Sequence, residues 1–142
     1  MNTKTYYLAY GSNLNLRQMA QRCPHSKRVG SMMLKDYELE FRIYLSVKKA
    51  PGKEVPIGIW EVPASDEKRL DAYEGFPTFY RKEYIPIEVD GKKVKALIYI
   101  MNDVRYPEPP SRIYMQTCIQ GYNDFGFDPK YLDEALDACM KS

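Results

Sequence analysis

The sequence predicts an α+β fold: a curved, mixed and mostly antiparallel sheet of β-barrel-like shape with flanking helices. Three observations lead to this fold class. Strand-like segments cluster in the middle of the chain, helix-like segments occur at intervals, and one strong hairpin signal is present without a regular alternation of strand and helix. The chain has 142 residues and contains neither internal repeats nor a long linker, so we expect one domain over residues 1–142.

The first part of the chain reads as a strand, a helix and two further strands. Residues Thr5 to Ala9 have the aromatic and apolar character of a strand, which Gly11-Ser12-Asn13 ends. Asn13 is expected to cap a helix, because apolar residues recur at helical spacing from Leu14 to Ala20. Two strands are then predicted, Arg28 to Leu34 and Tyr37 to Leu45, the second with an apolar residue at every other position.

Turn and cap residues divide the second part of the chain. Pro51-Gly52 predicts a loop, after which Pro56 to Val62 resumes as a strand. Ser65 predicts the start of a short helix and Gly75 its end. The remaining predicted elements are the strands Tyr80 to Val89 and Lys93 to Met101 joined by the hairpin turn Asp90-Gly91, a loop containing Pro107, Pro109 and Pro110, and the helices Ser111 to Tyr122 and Pro129 to Met140, the latter capped by Asp128.

Charge and cysteine content argue against several classes of protein. Lysine and arginine total 21 against 19 aspartates and glutamates, whereas a surface that follows nucleic-acid phosphates would show a stronger basic excess. No stretch reaches the roughly 18 apolar residues of a membrane span, and no signal-peptide pattern begins the chain. Three scattered cysteines and one histidine favour reduced thiols over a metal site. We therefore expect a cytoplasmic protein without a nucleic-acid or membrane partner.

Tyrosine dominates the aromatic residues, with 13 Tyr beside 5 Phe and 1 Trp. A tyrosine ring provides apolar area while its hydroxyl needs a hydrogen-bond partner, so this bias favours a pocket with polar requirements as well as a core. From their strand positions, we assign Tyr7, Tyr37 and Tyr84 to strand packing.

The run Tyr10-Gly11-Ser12-Asn13-Leu14 lies between the first strand and the first helix. A glycine-containing turn at a helix N-terminus presents backbone N–H groups and the positive end of the helix dipole, which together suit a carboxylate or phosphate. The alternative is an ordinary strand-to-helix turn with an asparagine cap. The residues by themselves leave both interpretations open.

Glu74 is predicted near the C-terminal end of the helix that begins at Ser65. By helical geometry it lies about 40° from Leu70 and shares the apolar face. Burial and the negative end of the helix dipole both raise the pKa of a carboxyl group placed there. A raised pKa suits a general base that works near neutral pH. The alternative is a boundary glutamate whose side chain reaches water.

Other candidates for chemistry are weaker. Ser12 has no nucleophile-elbow motif around it, and His25 lies beyond the first helix. The segment Gly11-Ser12-Asn13 lacks the glycine spacing of a dinucleotide fingerprint and the lysine of a phosphate-binding loop. The three cysteines lie in helical or apolar contexts, which favour buried, unreactive thiols.

Several motifs together carry a resemblance to a known family. The chain begins with Tyr6 to Leu14 (YYLAYGSNL), has Gly58 to Val62 (GIWEV) on a middle strand, and continues with Leu70 to Gly75 (LDAYEG). Tyr80, Tyr99 and Pro110 to Tyr114 leading into Gly121 complete the set. With these motifs, which span nearly the whole chain, the sequence resembles the gamma-glutamylcyclotransferase-like family, which includes the AIG2-like proteins.

The resemblance implies a mixed β-barrel whose cavity holds a γ-glutamyl group, with Glu74 as the catalytic acid/base. The substrate's own α-amine would close a five-membered lactam, releasing 5-oxoproline and an amine or amino acid. Such a reaction needs no protein nucleophile, and we expect neither a cofactor nor a metal. The partner is therefore a small-molecule γ-glutamyl substrate, with a homodimer left open. The residues expected to bind the substrate are Tyr10, Gly11, Ser12, Asn13, Leu14, Tyr80, Tyr99 and Tyr114.

The leaving group stays open at this point. The segment Gly75 to Tyr80 (GFPTFY) is similar in spacing to the AIG2-like and γ-glutamylamine branch, whereas Tyr122 to Leu136 is more similar to the γ-glutamyl amino-acid branch. Two other functions are alternatives: a non-catalytic module that binds γ-glutamyl compounds or regulates through them, and an enzyme that removes a γ-glutamyl protecting group in a biosynthetic pathway.

Overall fold

The computed structural model describes residues 4–102 and 106–141 of the chain. Within these ranges, five strands and four α-helices form, together with a short 3-10 turn at Ser12–Leu14. The strands are β1 (Lys4–Ala9), β2 (Lys27–Arg42), β3 (Tyr44–Pro63), β4 (Tyr80–Val89) and β5 (Lys92–Met101). The helices are α1 (Leu16–Arg22), α2 (Ala64–Glu74), α3 (Arg112–Phe125) and α4 (Lys130–Met140).

The five described strands form one mixed sheet in the order β2-β3-β1-β5-β4. The pairs β1/β3, β2/β3 and β4/β5 are antiparallel, and β1/β5 is parallel. The α+β class, with a mostly antiparallel sheet, is therefore confirmed. The barrel-like closure is wrong, because β2 and β4 lie at opposite edges of the described sheet with three strands between them, whereas a barrel needs its outermost strands to pair.

The β2/β3 hairpin is longer than the sequence predicts. β2 runs through both predicted strands, and the register shifts between Lys35 and Tyr37, around the left-handed residue Asp36 (φ 65°). The predicted loop at Pro51-Gly52 is wrong, because β3 continues through it beside this irregularity and the Gly52 amide donates to Asp36 Oδ1 at 3.0 Å. The chain reverses instead at Ile43, whose positive φ of 70° lets Arg42 pair with Tyr44.

Two predicted helix starts differ in the structure. Asn13 does not cap α1; the amides of Leu14 and Asn15 donate to the carbonyls of Gly11 and Ser12, which forms the 3-10 turn and delays the helix. The Asn15 side chain then caps α1 by accepting from the Gln18 amide at 3.0 Å. Ser65 does not cap α2, which begins one residue earlier at Ala64.

The predictions for the end of α2, the β4–β5 turn and the cap of α3 are confirmed, whereas α4 begins one residue later than predicted, with Pro129 at its N-cap position. Gly75 ends α2 in the left-handed conformation (φ 66°), which glycine adopts without a Cβ clash. Asp90 and Gly91 both have positive φ in the β4–β5 turn. Ser111 Oγ caps α3 at the Tyr114 amide (3.1 Å), and Asp128 Oδ1 accepts from the Lys130 amide (2.9 Å) at the start of α4.

The core lies on the central strands, where Leu8, Ile57 and Leu97 are almost completely buried. All three cysteines are buried and form no disulfide. Among the described helices, none has the length and apolar character to cross a membrane.

Candidate active site

A cavity of about 660 Å³ opens where the turn after β1 meets the start of β3, the end of α2 and the first turns of α3. It brings together residues from distant parts of the sequence. Of the predicted site residues, eight line it: Tyr10, Gly11, Ser12, Asn13, Glu74, Tyr80, Tyr99 and Tyr114.

Leu14 is the predicted binding residue that the structure places elsewhere. It does not line the cavity, and its side chain is fully buried. The space around Gly58 shows why: a Cβ there would lie 2.6 Å from Leu14 Cδ2, so the leucine packs tightly on the sheet. Its amide is also engaged, since it donates to the Gly11 carbonyl at 3.0 Å.

Three residues of the turn after β1, Gly11, Ser12 and Asn13, line the cavity. A Cβ at Gly11 would lie 3.2 Å from Leu45 Cδ1 and 3.3 Å from the Tyr114 hydroxyl, so any larger residue would press into the cavity wall. The amides of Ser12 and Asn13 have no hydrogen-bond partner among the described residues. Free N–H groups at the wall of a cavity can bind an anionic group of a ligand.

The Asn13 side chain joins three elements around the cavity. Its Nδ2 donates to the Tyr7 hydroxyl at 2.9 Å and lies 3.5 Å from Glu74 Oε1. Its Oδ1 accepts from Arg22 Nη1, and its backbone carbonyl accepts from Trp60 Nε1 at 3.1 Å. These contacts explain why an asparagine outside the α1 cap is almost completely buried.

Glu74 is the last residue of α2 and is half-buried at the cavity wall. Burial raises its pKa from 4.5 to about 8, and the positive charge of Arg22 opposes that rise. The predicted apolar face is present, because Leu70 on the preceding turn is fully buried. A carboxyl group with this pKa can accept and return a proton near neutral pH.

The tyrosine hydroxyls at the cavity are largely engaged by the protein. Tyr10 donates to the Tyr99 carbonyl and Tyr80 to the Leu45 carbonyl, each at 2.7 Å. The Tyr99 hydroxyl donates to Asp71 Oδ1 at 2.6 Å. Tyr114 accepts from the Leu45 amide at 3.1 Å. The hydrogen-bond partners that the tyrosine bias predicts are therefore supplied for these four hydroxyls by the protein itself. The aromatic rings of these tyrosines remain available to contact a ligand.

Sequence reasoning missed several residues of the site. Tyr7, which it assigned to strand packing, is buried at the cavity wall beside Asn13. Arg22 stacks on the Tyr73 ring, 3.5 Å from its centroid, in addition to binding Asn13. No local pattern marks these residues, because their roles depend on contacts between α1, β1 and α2. The rim residues Tyr44 and Phe79 were also missed.

The mixed sheet, the tyrosine-lined cavity and the carboxyl group at its wall define an α+β protein with a candidate site for acid–base chemistry. The family model for gamma-glutamyl cyclotransferase, AIG2-like, matches residues 7–117 of the chain. The chain belongs to this family, as its motifs predict, and catalysis of the gamma-glutamylcyclotransferase type is its general function.

Individual relatives agree with this assignment. The gamma-glutamylcyclotransferase of Bos taurus is 28% identical over 142 residues, covering 88% of this chain and 73% of the bovine protein. The Mus musculus protein of the same name is 26% identical over 145 residues, covering 90% and 75%.

Solved structures show the same fold. A gamma-glutamyl cyclotransferase structure superposes with a TM-score of 0.80 at 23% identity, covering 94% of this chain and 86% of that chain. An AIG2-like protein from Mus musculus gives a TM-score of 0.59 at 17% identity, covering 79% and 82%. At these identities the superpositions support the fold alone.

Proposed function

We propose that this protein cleaves a γ-glutamyl amide by intramolecular attack of the substrate's α-amine, releasing 5-oxoproline and an amine or amino acid, with Glu74 as general acid/base. The observation that carries the proposal is the Glu74 carboxyl group, whose pKa is raised to about 8 in the same cavity as the unpaired amides of Ser12 and Asn13. An anion site and a proton acceptor at one wall suit an amino-acid head group.

The head group binds at the turn after β1. The amides of Ser12 and Asn13 hold its α-carboxylate, and the rings of Tyr10, Tyr80 and Tyr114 enclose its methylene groups. Held in this way, the α-amine and the γ-carbonyl carbon meet at the distance of ring closure. Orientation of this kind supplies much of the acceleration of an intramolecular reaction.

Glu74 moves the protons. Its carboxylate takes a proton from the α-ammonium, and the free amine attacks the γ-carbonyl carbon to form the ring C–N bond. The protonated Glu74 then donates to the departing nitrogen as the old C–N bond breaks, and the restored carboxylate takes the extra proton from the ring nitrogen. Glu74 then releases this proton to water and the departing amine takes one up from water, so the carboxylate is restored and atoms and charge balance.

A panel of γ-glutamyl amino acids and γ-glutamylamines, assayed for 5-oxoproline, tests the proposal. We expect release from at least one panel member and a loss of kcat of about 10²–10⁴-fold in Glu74→Gln. Glu88→Gln, an exposed glutamate on β4, is the matched control and should behave as wild type. Saturable calorimetric binding without product across the whole panel would instead indicate a binding module, and unchanged release in Glu74→Gln would refute the role of Glu74.

A further inference from the structure

We infer that Tyr7 is a further catalytic residue, whose hydroxyl donates a hydrogen bond to the substrate's γ-carbonyl oxygen as negative charge develops there. The inference rests on the proposed cyclisation and adds the missing donor for its tetrahedral intermediate. Attack on an amide carbonyl places charge on oxygen, and a donor fixed in advance stabilises that charge without having to reorganise.

The position of Tyr7 is rigid. It lies in β1, which is bordered by β3 on one side and β5 on the other, and its backbone is in register with Trp60 and Leu97. Its ring meets Tyr99 edge to face, with centroids 5.7 Å apart. The side chain is 4% exposed and lines the cavity. These contacts fix the position of the Tyr7 hydroxyl oxygen at the cavity wall.

The hydrogen bonds around Asn13 determine whether the Tyr7 hydroxyl donates or accepts. A guanidinium can only donate, so Arg22 binds the Asn13 oxygen and the amide nitrogen must face the other way. That nitrogen donates to the Tyr7 oxygen at 2.9 Å. Tyr7 is therefore an acceptor in this bond, and its own proton has no acceptor within residues 4–102 and 106–141.

Arg22, Asn13 and Tyr7 thus form a chain of hydrogen bonds that begins on a cation and ends on the hydroxyl of a tyrosine that lines the cavity. Each bond in such a chain polarises the next, which makes the last proton a better donor. The Glu74 carboxyl group lies beside this hydroxyl without a direct hydrogen bond between them. Burial, and secondarily the charge of Glu74, raise the pKa of Tyr7, so its proton stays in place.

The other buried hydroxyls at the cavity are less suited to this role. Those of Tyr10, Tyr80 and Tyr99 donate to protein acceptors. Tyr114 is the rival, because its hydroxyl also accepts a bond, but from a neutral backbone amide rather than from a chain that starts at an arginine.

The test compares kcat and KM of Tyr7→Phe with wild type on the best substrate of the panel, above pH 9, where Glu74 is ionised. Tyr7→Phe retains the ring, and we expect kcat to fall about 10²-fold while KM changes by less than about threefold. A purely structural role would instead lower thermal stability and the active fraction without this split between kcat and KM. Tyr84→Phe, which alters an exposed tyrosine of β4, is the matched control.

A second variant, Arg22→Met, tests the chain of hydrogen bonds. We expect kcat to fall less in Arg22→Met than in Tyr7→Phe. The kcat of the double variant Tyr7→Phe/Arg22→Met should be close to that of Tyr7→Phe alone, because without the Tyr7 hydroxyl the polarisation that starts at Arg22 reaches no donor. Wild-type kcat in Tyr7→Phe, or a kcat loss confined to Tyr114→Phe, overturns the inference while the proposed function stands. If wild type releases no 5-oxoproline from any substrate, both fall.

Discussion

Asn13 Nδ2 lies 3.5 Å from Glu74 Oε1, at the outer limit of a hydrogen bond, although the two residues are 61 positions apart in sequence. The contact brings the turn after β1 against the end of α2, but it gives the carboxylate little of the hydrogen bonding that would compensate for burial. Desolvation therefore dominates, and the pKa of Glu74 rises to about 8.

The first prediction concerns the pH dependence of turnover. A general base must be ionised in the free enzyme, so log kcat/KM should rise with a slope of one up to about pH 8, where the Glu74 pKa lies. Arg22→Met removes a positive charge that lowers this pKa, so the rising part of the pH profile should shift to higher pH. Arg17→Gln, at an exposed arginine of α1, should leave the pH profile unchanged. A wild-type profile that levels off near pH 4–5 would contradict the role of Glu74 as the general base.

The second prediction concerns the cost of Glu74 to stability. The folded state raises its pKa from 4.5 to about 8, so the folded state binds the extra proton and stability falls as pH rises across this window. Glu74→Gln removes the titration. Its stability relative to wild type should increase between pH 5 and pH 9, by up to about 4–5 kcal/mol at the full shift. Urea unfolding of both proteins at pH 5 and pH 9 measures the difference in the free energy of unfolding. A stability gain of Glu74→Gln that is equal at the two pH values would contradict the raised pKa of Glu74.

The parts of the fold that local chemistry decides could be predicted from the sequence. Asp90-Gly91 and Gly75 are positions where the backbone needs positive φ, and the residue type shows this directly. The delayed start of α1 at Asn15 could not be predicted, because Asn13 and Asn15 are equally good caps. What decides between them is the burial of Asn13 against Tyr7 and Glu74, a tertiary effect.

For the site, the motifs predicted eight of the residues that line the cavity but not what their hydroxyls do. Tyr99 was expected to contact the substrate, whereas its hydroxyl is bound to Asp71, which also pairs with Lys82. The reverse holds for Tyr7, whose strand position suggested packing. Alternation along one strand gives a face of the sheet, and it does not reveal where a cavity interrupts that face.

The third prediction concerns Gly121, where α3 passes the turn after β1. A Cβ at this position would lie 2.7 Å from the Asn15 amide nitrogen and 2.8 Å from the Leu14 carbonyl carbon. Both are backbone atoms that cannot rotate away, so Gly121→Ala should push the turn that carries Ser12 and Asn13. We expect a loss of about 1–3 kcal/mol in the free energy of unfolding together with a raised KM.

Gly30→Ala is the matched control for this substitution, since a Cβ at Gly30 meets nothing within 4 Å. Denaturant unfolding and steady-state kinetics on both variants give the comparison. Equal behaviour of Gly121→Ala and Gly30→Ala would show that α3 does not hold the turn in place.

The final prediction concerns the leaving group, which must lie toward the open side of the cavity once the head group is bound at the turn. The rim there is aromatic: Tyr44, Tyr73 and Phe79 are 45%, 43% and 38% exposed. Of the described residues that line the cavity, Glu74 alone is charged. Arg22 is engaged by Tyr73 and Asn13. A carboxylate on the leaving group would therefore find no cation and would face the charge of Glu74.

We therefore expect γ-glutamylphenethylamine to be turned over with a kcat/KM at least about tenfold above that of γ-glutamylphenylalanine, since an unpaired carboxylate need cost only about 1.4 kcal/mol to give this ratio. The two substrates differ by that carboxylate alone. Tyr44→Arg places a cation at the rim and should narrow the ratio, whereas Tyr84→Arg, on the exposed side of β4, should not. Equal turnover of the two amides by wild type would show that the aromatic rim does not select the leaving group, even though both reactions still release 5-oxoproline.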